Sequence, residues 1–181
     1  MHKEERENIL QKRLGMGPVF LAEASEYPSL YPARVISQSK DIYRVWTEEE
    51  ELFAEVSGKF RFAATGPADY PAVGDFVLVD RMAGDEGNAL IQQVLPRKSA
   101  FIRRAAGTAQ QEQVVASNVD KVFICMSLNN DFNLRRLERY LAIGWDSGAL
   151  PVLVLTKSDL AEDLSGRLKE VETVALGVDV V

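Results

Sequence analysis

The sequence predicts two folded parts in series, a small closed β-barrel and then the opening of a parallel α/β sheet. Three observations carry this. Between residues 32 and 104, five short runs rich in Val, Ile, Phe and Tyr are each bounded by Gly, Pro, Asp or Asn. After Gly107 the pattern changes to near-continuous apolar runs alternating with helical spacing. A composition of 46% hydrophobic and 27% charged residues is that of a globular chain, which sets aside disorder and long repeats. A length of 181 residues suits one large or two small domains.

Residues 1–31 read as an N-terminal leader. A short helix is expected over 7–14, closed by Gly15 and Gly17, and another turn or two over 18–26 before Pro28. The strand runs are 34–37, 42–46, 52–62, 76–80 and 89–95, separated by Ser39-Lys40-Asp41, Gly58, Gly66-Pro67, Gly74-Asp75 and the Gly84–Asn88 stretch. Five amphipathic strands need closure to hide their edges, so residues 32–104 are expected to form a barrel. An OB-fold and an SH3-like barrel both fit the periodicity. A linker is expected at 105–111, where residues are small and polar.

Residues 119–128 end in a run apolar enough for a strand buried on both faces. Asn130-Asp131 offers a cap for a helix over 132–145, where Leu134, Leu137, Tyr140, Leu141 and Trp145 share one face. Pro151-Val152-Leu153-Val154-Leu155 is a second buried strand. A helix from 159 or 160 to about 176 and a last strand at 178–181 complete βαβαβ over 112–181. Three strands and two helices leave one sheet face uncovered, so this second domain is expected to be incomplete.

Composition removes much of the usual chemistry. No run reaches the roughly 20 apolar residues of a membrane span, and no signal-like segment follows Met1, so a cytoplasmic protein without membrane contact is expected. One cysteine excludes an internal disulfide or a Cys-rich zinc site. Cys125, inside an apolar strand, reads as packing. The single His2 lies at the terminus and offers no general base or metal ligand. A net charge of −6 argues against nonspecific wrapping of nucleic acid but allows a local basic face.

Two constellations remain. Thr156-Lys157-Ser158-Asp159 directly follows a buried strand, and parallel sheets bind ligands beyond the carboxyl ends of their strands. Asn/Thr-Lys-x-Asp is the guanine-specificity element of GTP-binding proteins. Its Asp accepts from the guanine N1–H and exocyclic amine, its Lys stem lies along the base, and its Asn or Thr ties down the loop. A base without those donors leaves the carboxylate unpaired. A turn with Asp159 capping the next helix is the other reading that the spacing allows.

The second constellation is basic. Arg97, Lys98, Arg103 and Arg104 lie close together with Phe101 among them and no acid between Glu86 and Glu112. Tyr43, Trp46, Phe60 and Phe62 could serve as stacking platforms for bases, but a small barrel needs filling and the packing reading is preferred for them. Glu48–Glu51 reads as a solvated hairpin tip. Arg135, Arg136 and Arg139 read as surface ion pairs around Glu138.

From Pro32 onward the chain resembles the ribosome-small-subunit-dependent GTPases, circularly permuted GTPases with an N-terminal OB-fold. The resemblance is carried by Asp69-Tyr70-Pro71-Ala72-Val73-Gly74-Asp75, Val94-Leu95-Pro96-Arg97-Lys98-Ser99 and Glu112-Gln113-Val114-Val115-Ala116-Ser117-Asn118-Val119-Asp120. Asp131-Phe132-Asn133-Leu134-Arg135-Arg136-Leu137-Glu138-Arg139-Tyr140-Leu141 and the stretch 151–160 continue it in order. It implies an OB-fold, then the first part of a P-loop-type GTPase domain in which the guanine motif precedes the phosphate loop. It further implies GTP hydrolysis in late assembly of the small ribosomal subunit, with GTP/GDP and Mg as cofactors, contact with that subunit's rRNA, and zinc in a C-terminal domain. Thr156, Lys157 and Asp159 would then bind guanine, and Arg97, Lys98, Arg103 and Arg104 would contact RNA. No Gly-x-x-x-x-Gly-Lys-Ser/Thr occurs in residues 1–181, so no catalytic or metal residue is expected among them. A stand-alone RNA-binding barrel without enzymatic activity, or a protein-interaction domain, are the alternatives.

Overall fold

The computed structural model describes residues 3–84, 87–104 and 112–181. The chain divides into two compact units, one of Met1–Lys98 with Ile102–Asn118 and the other of Ser99–Phe101 with Val119–Val181.

The first unit is a closed barrel of strand order β1-β2-β3-β5-β4, made of β1 (Tyr31–Ser39), β2 (Ile42–Trp46), β3 (Glu51–Val56), β4 (Phe76–Val79) and β5 (Ala89–Val94). Its neighbours are antiparallel except β3 and β5, which pair in parallel with Ala54 opposite Ala89 and Val56 opposite Ile91. That order with one parallel pair is the OB-type barrel and removes the SH3-like alternative. Alternation along each strand puts Val35, Tyr43, Val45, Ala54, Val77 and Ile91 inside. Strand β4 is buried on both faces, because its outward Phe76 and Leu78 are covered by α1 (Lys3–Leu14) and α2 (Pro18–Ser25) through Leu10, Leu14, Met16 and Phe20. The Phe20 and Phe76 rings lie 4.5 Å apart. The described part of the expected leader, residues 3–30, is thus packed onto the barrel.

The strand expected over 52–62 ends at Val56. Ser57 caps a six-residue helix α3 (Gly58–Ala63), its Oγ accepting from the Phe60 N–H at 3.1 Å. A serine cap followed by glycine outweighs the β-propensity of the Phe residues. The hairpin tip at 48–51 is not wholly solvated either, since Glu48 is ion-paired with Arg6 at 3.0 Å and Thr47 is fully buried.

Strands β6 (Ala100–Arg104) and β7 (Glu112–Ser117), not foreseen from the sequence, form a two-stranded sheet. The linker expected at 105–111 lies outside the described residues. Contacts place 112–118 with the barrel, whereas the sequence reading starts the second domain at 112. The reason is local. Ser117 N–H donates to the Val73 carbonyl at 2.9 Å, and its Oγ donates to buried Asp75.

The second unit is a parallel sheet of order β10-β9-β8, from β8 (Lys121–Ser127), β9 (Leu150–Thr156) and β10 (Asp179–Val180). Helices α4 (Leu134–Asp146) and α5 (Leu164–Val174) cover one face, burying Ile124, Met126, Leu137, Leu141, Leu153 and Val171 together. On the opposite side Phe123 and Cys125 are exposed. Cys125 is therefore not packing. The alternation that sends Ile124 and Met126 toward the helices sends it the other way. Arg136, expected to pair around Glu138, bridges Asp131 instead at 2.9 Å, and Arg139 lies over the Tyr140 ring. Among the described residues no helix is long and apolar enough to cross a membrane.

Candidate functional site

The carboxyl ends of β8 and β9 build the first site. The two strands run parallel and in register, so Ser127 and Thr156 end side by side, and Leu128 N–H donates to the Thr156 carbonyl at 2.9 Å. This pairing ties down the start of the loop that follows Thr156. Lys157 then takes a left-handed conformation, φ 58° and ψ 41°, which turns the chain away from the strand direction. Ser158, Asp159 and Leu160 make a single 3-10 turn, closed by Leu160 N–H on the Lys157 carbonyl at 3.1 Å. Thr156 is half-buried, and Lys157 and Asp159 are exposed beyond the strand end.

The cap of the following helix is decisive for Asp159. Helix α5 starts at Leu164, later than expected, and Asp163 caps it, its Oδ1 accepting from the Gly166 N–H at 2.8 Å. Asp159 caps no α-helix. Its carboxylate stands in solvent at the mouth of a parallel sheet, where an acceptor-only group can meet a ligand's paired donors.

The neighbouring loop, between β8 and α4, is held by its own side chains. Asn133 caps α4, with Oδ1 accepting from the Arg136 N–H at 2.9 Å, so the cap lies beyond the Asn130-Asp131 pair expected from the sequence. Arg136 holds the Asp131 carboxylate through both guanidinium NH groups, at 3.1 and 2.9 Å. That hydrogen-bonded pairing keeps the Asp131 carboxyl below the usual carboxylate range, and the charge of Lys157 acts in the same direction. The Arg167 guanidinium lies 4.4 Å from the centre of the Phe132 ring, joining the same loop to α5.

The basic segment behaves differently, because its members do different work. Arg97 is consumed inside the barrel unit. Its Nε and one NH group grip the fully buried Asp75 at 2.8 and 2.6 Å, and its NH groups also donate to the Ala68 and Tyr70 carbonyls at 2.7 and 2.8 Å. Asp75 takes two further bonds, from Ser117 Oγ and from the Ala72 N–H at 2.8 Å. This charge pair commits four of the five N–H donors of Arg97 to the barrel unit rather than to a phosphate. Lys98 and Arg103 are exposed, Arg103 reaching Gln113 at 3.4 Å. The side chain of Arg104 lies outside the described residues. Arg97 is thus set apart from the exposed Lys98 and Arg103.

The aromatic residues also separate. Tyr43 is buried in the barrel, and burial first, then the nearby Asp41 carboxylate, pushes its hydroxyl up to about 12. Phe60 packs edge-on against Tyr70, with ring centres 5.9 Å apart. Trp46 is half-exposed, with Arg13 over its ring at 5.7 Å. Phe62 is 92% exposed, contrary to the expected filling role, because it lies on α3 rather than on a barrel strand. Phe53, which the sequence reading passed over, is 59% exposed on the outer side of β3; strict alternation with Leu52 and Ala54 was the available signal.

Comparison with known proteins agrees with this geometry. The sequence model of the RsgA GTPase family matches residues 94–181. Small ribosomal subunit biogenesis GTPase RsgA 2 of Lactiplantibacillus plantarum is 49% identical over 148 residues, 82% of this chain and 41% of that protein. Small ribosomal subunit biogenesis GTPase RsgA 1 of Listeria monocytogenes is 46% identical over 170 residues, 94% of this chain and 46% of that one. The chain thus spans less than half the length of these curated relatives. Among solved structures, YjeQ from Thermotoga maritima matches with a TM-score of 0.64 at 25% identity, over 84% of this chain and 51% of that one. YloQ, a circularly permuted GTPase, shares the fold with a TM-score of 0.61 at 22% identity, over 83% and 50%. With an OB-type barrel leading into a parallel sheet whose strand β9 ends in Thr156-Lys157-Ser158-Asp159, this chain belongs to the RsgA GTPase family.

Proposed function

We propose that the protein is a cytoplasmic GTPase acting in assembly of the small ribosomal subunit, to which this chain supplies the OB-type barrel and the base-recognition part of the nucleotide site. The observation that carries the reading is Asp159, an uncommitted carboxylate at the carboxyl end of a buried parallel strand, in the sequence context of the guanine-specificity motif. On this reading the described residues 3–30 brace the barrel at 32–104, the chain passes through 105–111 and through 112–118, which pack with the barrel unit, to the GTPase part, and the barrel faces rRNA.

The residues present fit the base of GTP or GDP. Asp159 would accept from its N1–H and amine, the Lys157 stem would lie along its plane, and Thr156 would hold the loop through its carbonyl bond to Leu128. Magnesium and the phosphates are assigned to a Walker-type loop, which supplies the amides, lysine and hydroxyl that such a centre requires; residues 1–181 contain none. Zinc belongs, on this reading, to a further domain. Of the basic residues, Lys98, Arg103 and Arg104 remain candidates for RNA, and Arg97 positions the segment that bears them.

The test is nucleotide preference in the full-length protein. Wild type is expected to hydrolyse GTP and to do so faster with small ribosomal subunits. Asp159→Asn is expected to lose GTP affinity by about tenfold or more and to gain affinity for XTP, because the new amide donates where the carboxylate only accepts. An unchanged GTP-to-XTP preference in this variant would remove Asp159 from the base site.

A further inference from the structure

We propose that helix α3 is a contact for unpaired RNA, with the Phe62 ring stacking on a base and Lys59 and Arg61 holding the adjoining phosphates. The proposal rests on the small-subunit reading above and assigns it a surface that neither the guanine motif nor the segment 97–104 provides.

The helix is fastened by one side only. Ser57 caps it, and Phe60 points inward to pack on Tyr70 and the barrel core. Lys59, Arg61 and Phe62 are left outward and exposed, Phe62 at 92%. Neither cation forms an ion pair among the described residues. No acidic residue occurs between Glu55 and Asp69, in a chain of net charge −6. Positive charge is therefore concentrated here against the sign of the whole molecule, which complements a polyanion.

The setting of Phe62 separates RNA from a protein partner. A protein interface has an apolar core from which lysine is depleted, whereas Lys59 stands one turn before Phe62 on α3. An exposed ring flanked by cations is the arrangement that binds single strands, where every base has a face to stack and a phosphate beside it. Beside α3 a cleft of about 740 Å3, lined by Lys59, Phe60 and Ala63 of the helix with Asp69 and Arg97, leaves room for a strand.

The experiment uses the full-length protein and purified small ribosomal subunits across a salt series. Phe62→Ala is expected to weaken binding by roughly five- to hundredfold, as loss of one stacked base does, and Phe62→Tyr to retain it. Lys59→Ala with Arg61→Ala should lower the slope of log affinity against log salt by about 1.4, the share of two single-strand phosphates. All three side chains are exposed, so melting temperatures should not move. A photoreactive phenylalanine analogue at position 62 should crosslink to rRNA. A crosslink to a ribosomal protein, or within the protein itself, overturns the RNA assignment. Unchanged affinity and slope in variants of a protein that does bind subunits overturn the role of α3 and leave the GTPase reading standing. Failure of the wild type to bind subunits overturns the small-subunit reading and this proposal with it.

Discussion

Arg97 and Asp159 carry opposite lessons at the scale of single residues. Both are charged residues in motifs shared with a known family, and the sequence offers each as a binding group. Asp159 is free of structural duty because Asp163 performs the capping that it was eligible for. Arg97 is committed, with its side chain 18% exposed and its partner Asp75 fully buried. Removing one member of such a pair leaves an uncompensated buried charge. Arg97→Ala is expected to destabilise the barrel unit by about 3–5 kcal/mol, while Arg103→Ala stays within about 0.5 kcal/mol. Urea unfolding of the two variants checks this; equal, small effects would show that Asp75 is satisfied without Arg97. Tyr43 adds a pH dependence. Its hydroxyl titrates near 12 in the folded chain against 10.0 when unfolded, so its contribution is complete below pH 10 and disappears as pH rises toward 12. Tyr43→Phe should lose less stability than wild type over that alkaline window, a difference readable by melting the two proteins side by side.

Elements were legible from the sequence where one signal dominated. Strand β2 alternates, β1, β4 and β5 are short runs rich in Val, Leu or Ile between turn residues, and β8 and β9 are apolar runs, so their placement shows in the chain. Segment 52–62 was not legible, because Phe60 and Phe62 favour a strand while Ser57 and Gly58 favour a helix start, and propensity does not rank the two. Strand β7 was missed for a different reason, since what fixes it is a set of distant partners. Gly74 shows the dependence. At φ +95° it lets the chain pass so near β7 that an added Cβ would meet the Ser117 carbonyl oxygen at 2.1 Å. Nothing in the residues around Ser117 announces that contact. Gly74→Ala should therefore cost more than about 1 kcal/mol, from strain at positive φ as well as the clash. The bonds from Ser117 to Val73 and Asp75 should loosen with it. Faster hydrogen exchange confined to β7 and the turn at 72–75 is the expected signature. Uniform exchange at wild-type rates would mean that the two segments separate without penalty.

At the scale of the molecule, the proposed guanine loop would be one part of a nucleotide site whose other parts are phosphate contacts. Asp159 and Lys157 offer a base two or three polar interactions at an exposed strand end, each worth about 0.5–3 kcal/mol net, from which about 4 kcal/mol or more of lost translational and rotational freedom is subtracted. A micromolar complex needs about 8 kcal/mol in total. In GTPases the remainder comes from backbone amides and a lysine around the β- and γ-phosphates and from the magnesium that bridges them. Residues 1–181 supply Thr156 and Asp159, the residues proposed for the base, but contain no loop of that kind. The expectation for these residues in isolation is therefore GTP affinity weaker than millimolar, no hydrolysis, and little preference for GTP over GMP, since the extra phosphates find no partner. Calorimetry with GTP, GMP and XTP decides it. Micromolar GTP binding, with GMP much weaker, would require a phosphate site among residues 1–181 that the geometry around Lys157 does not supply.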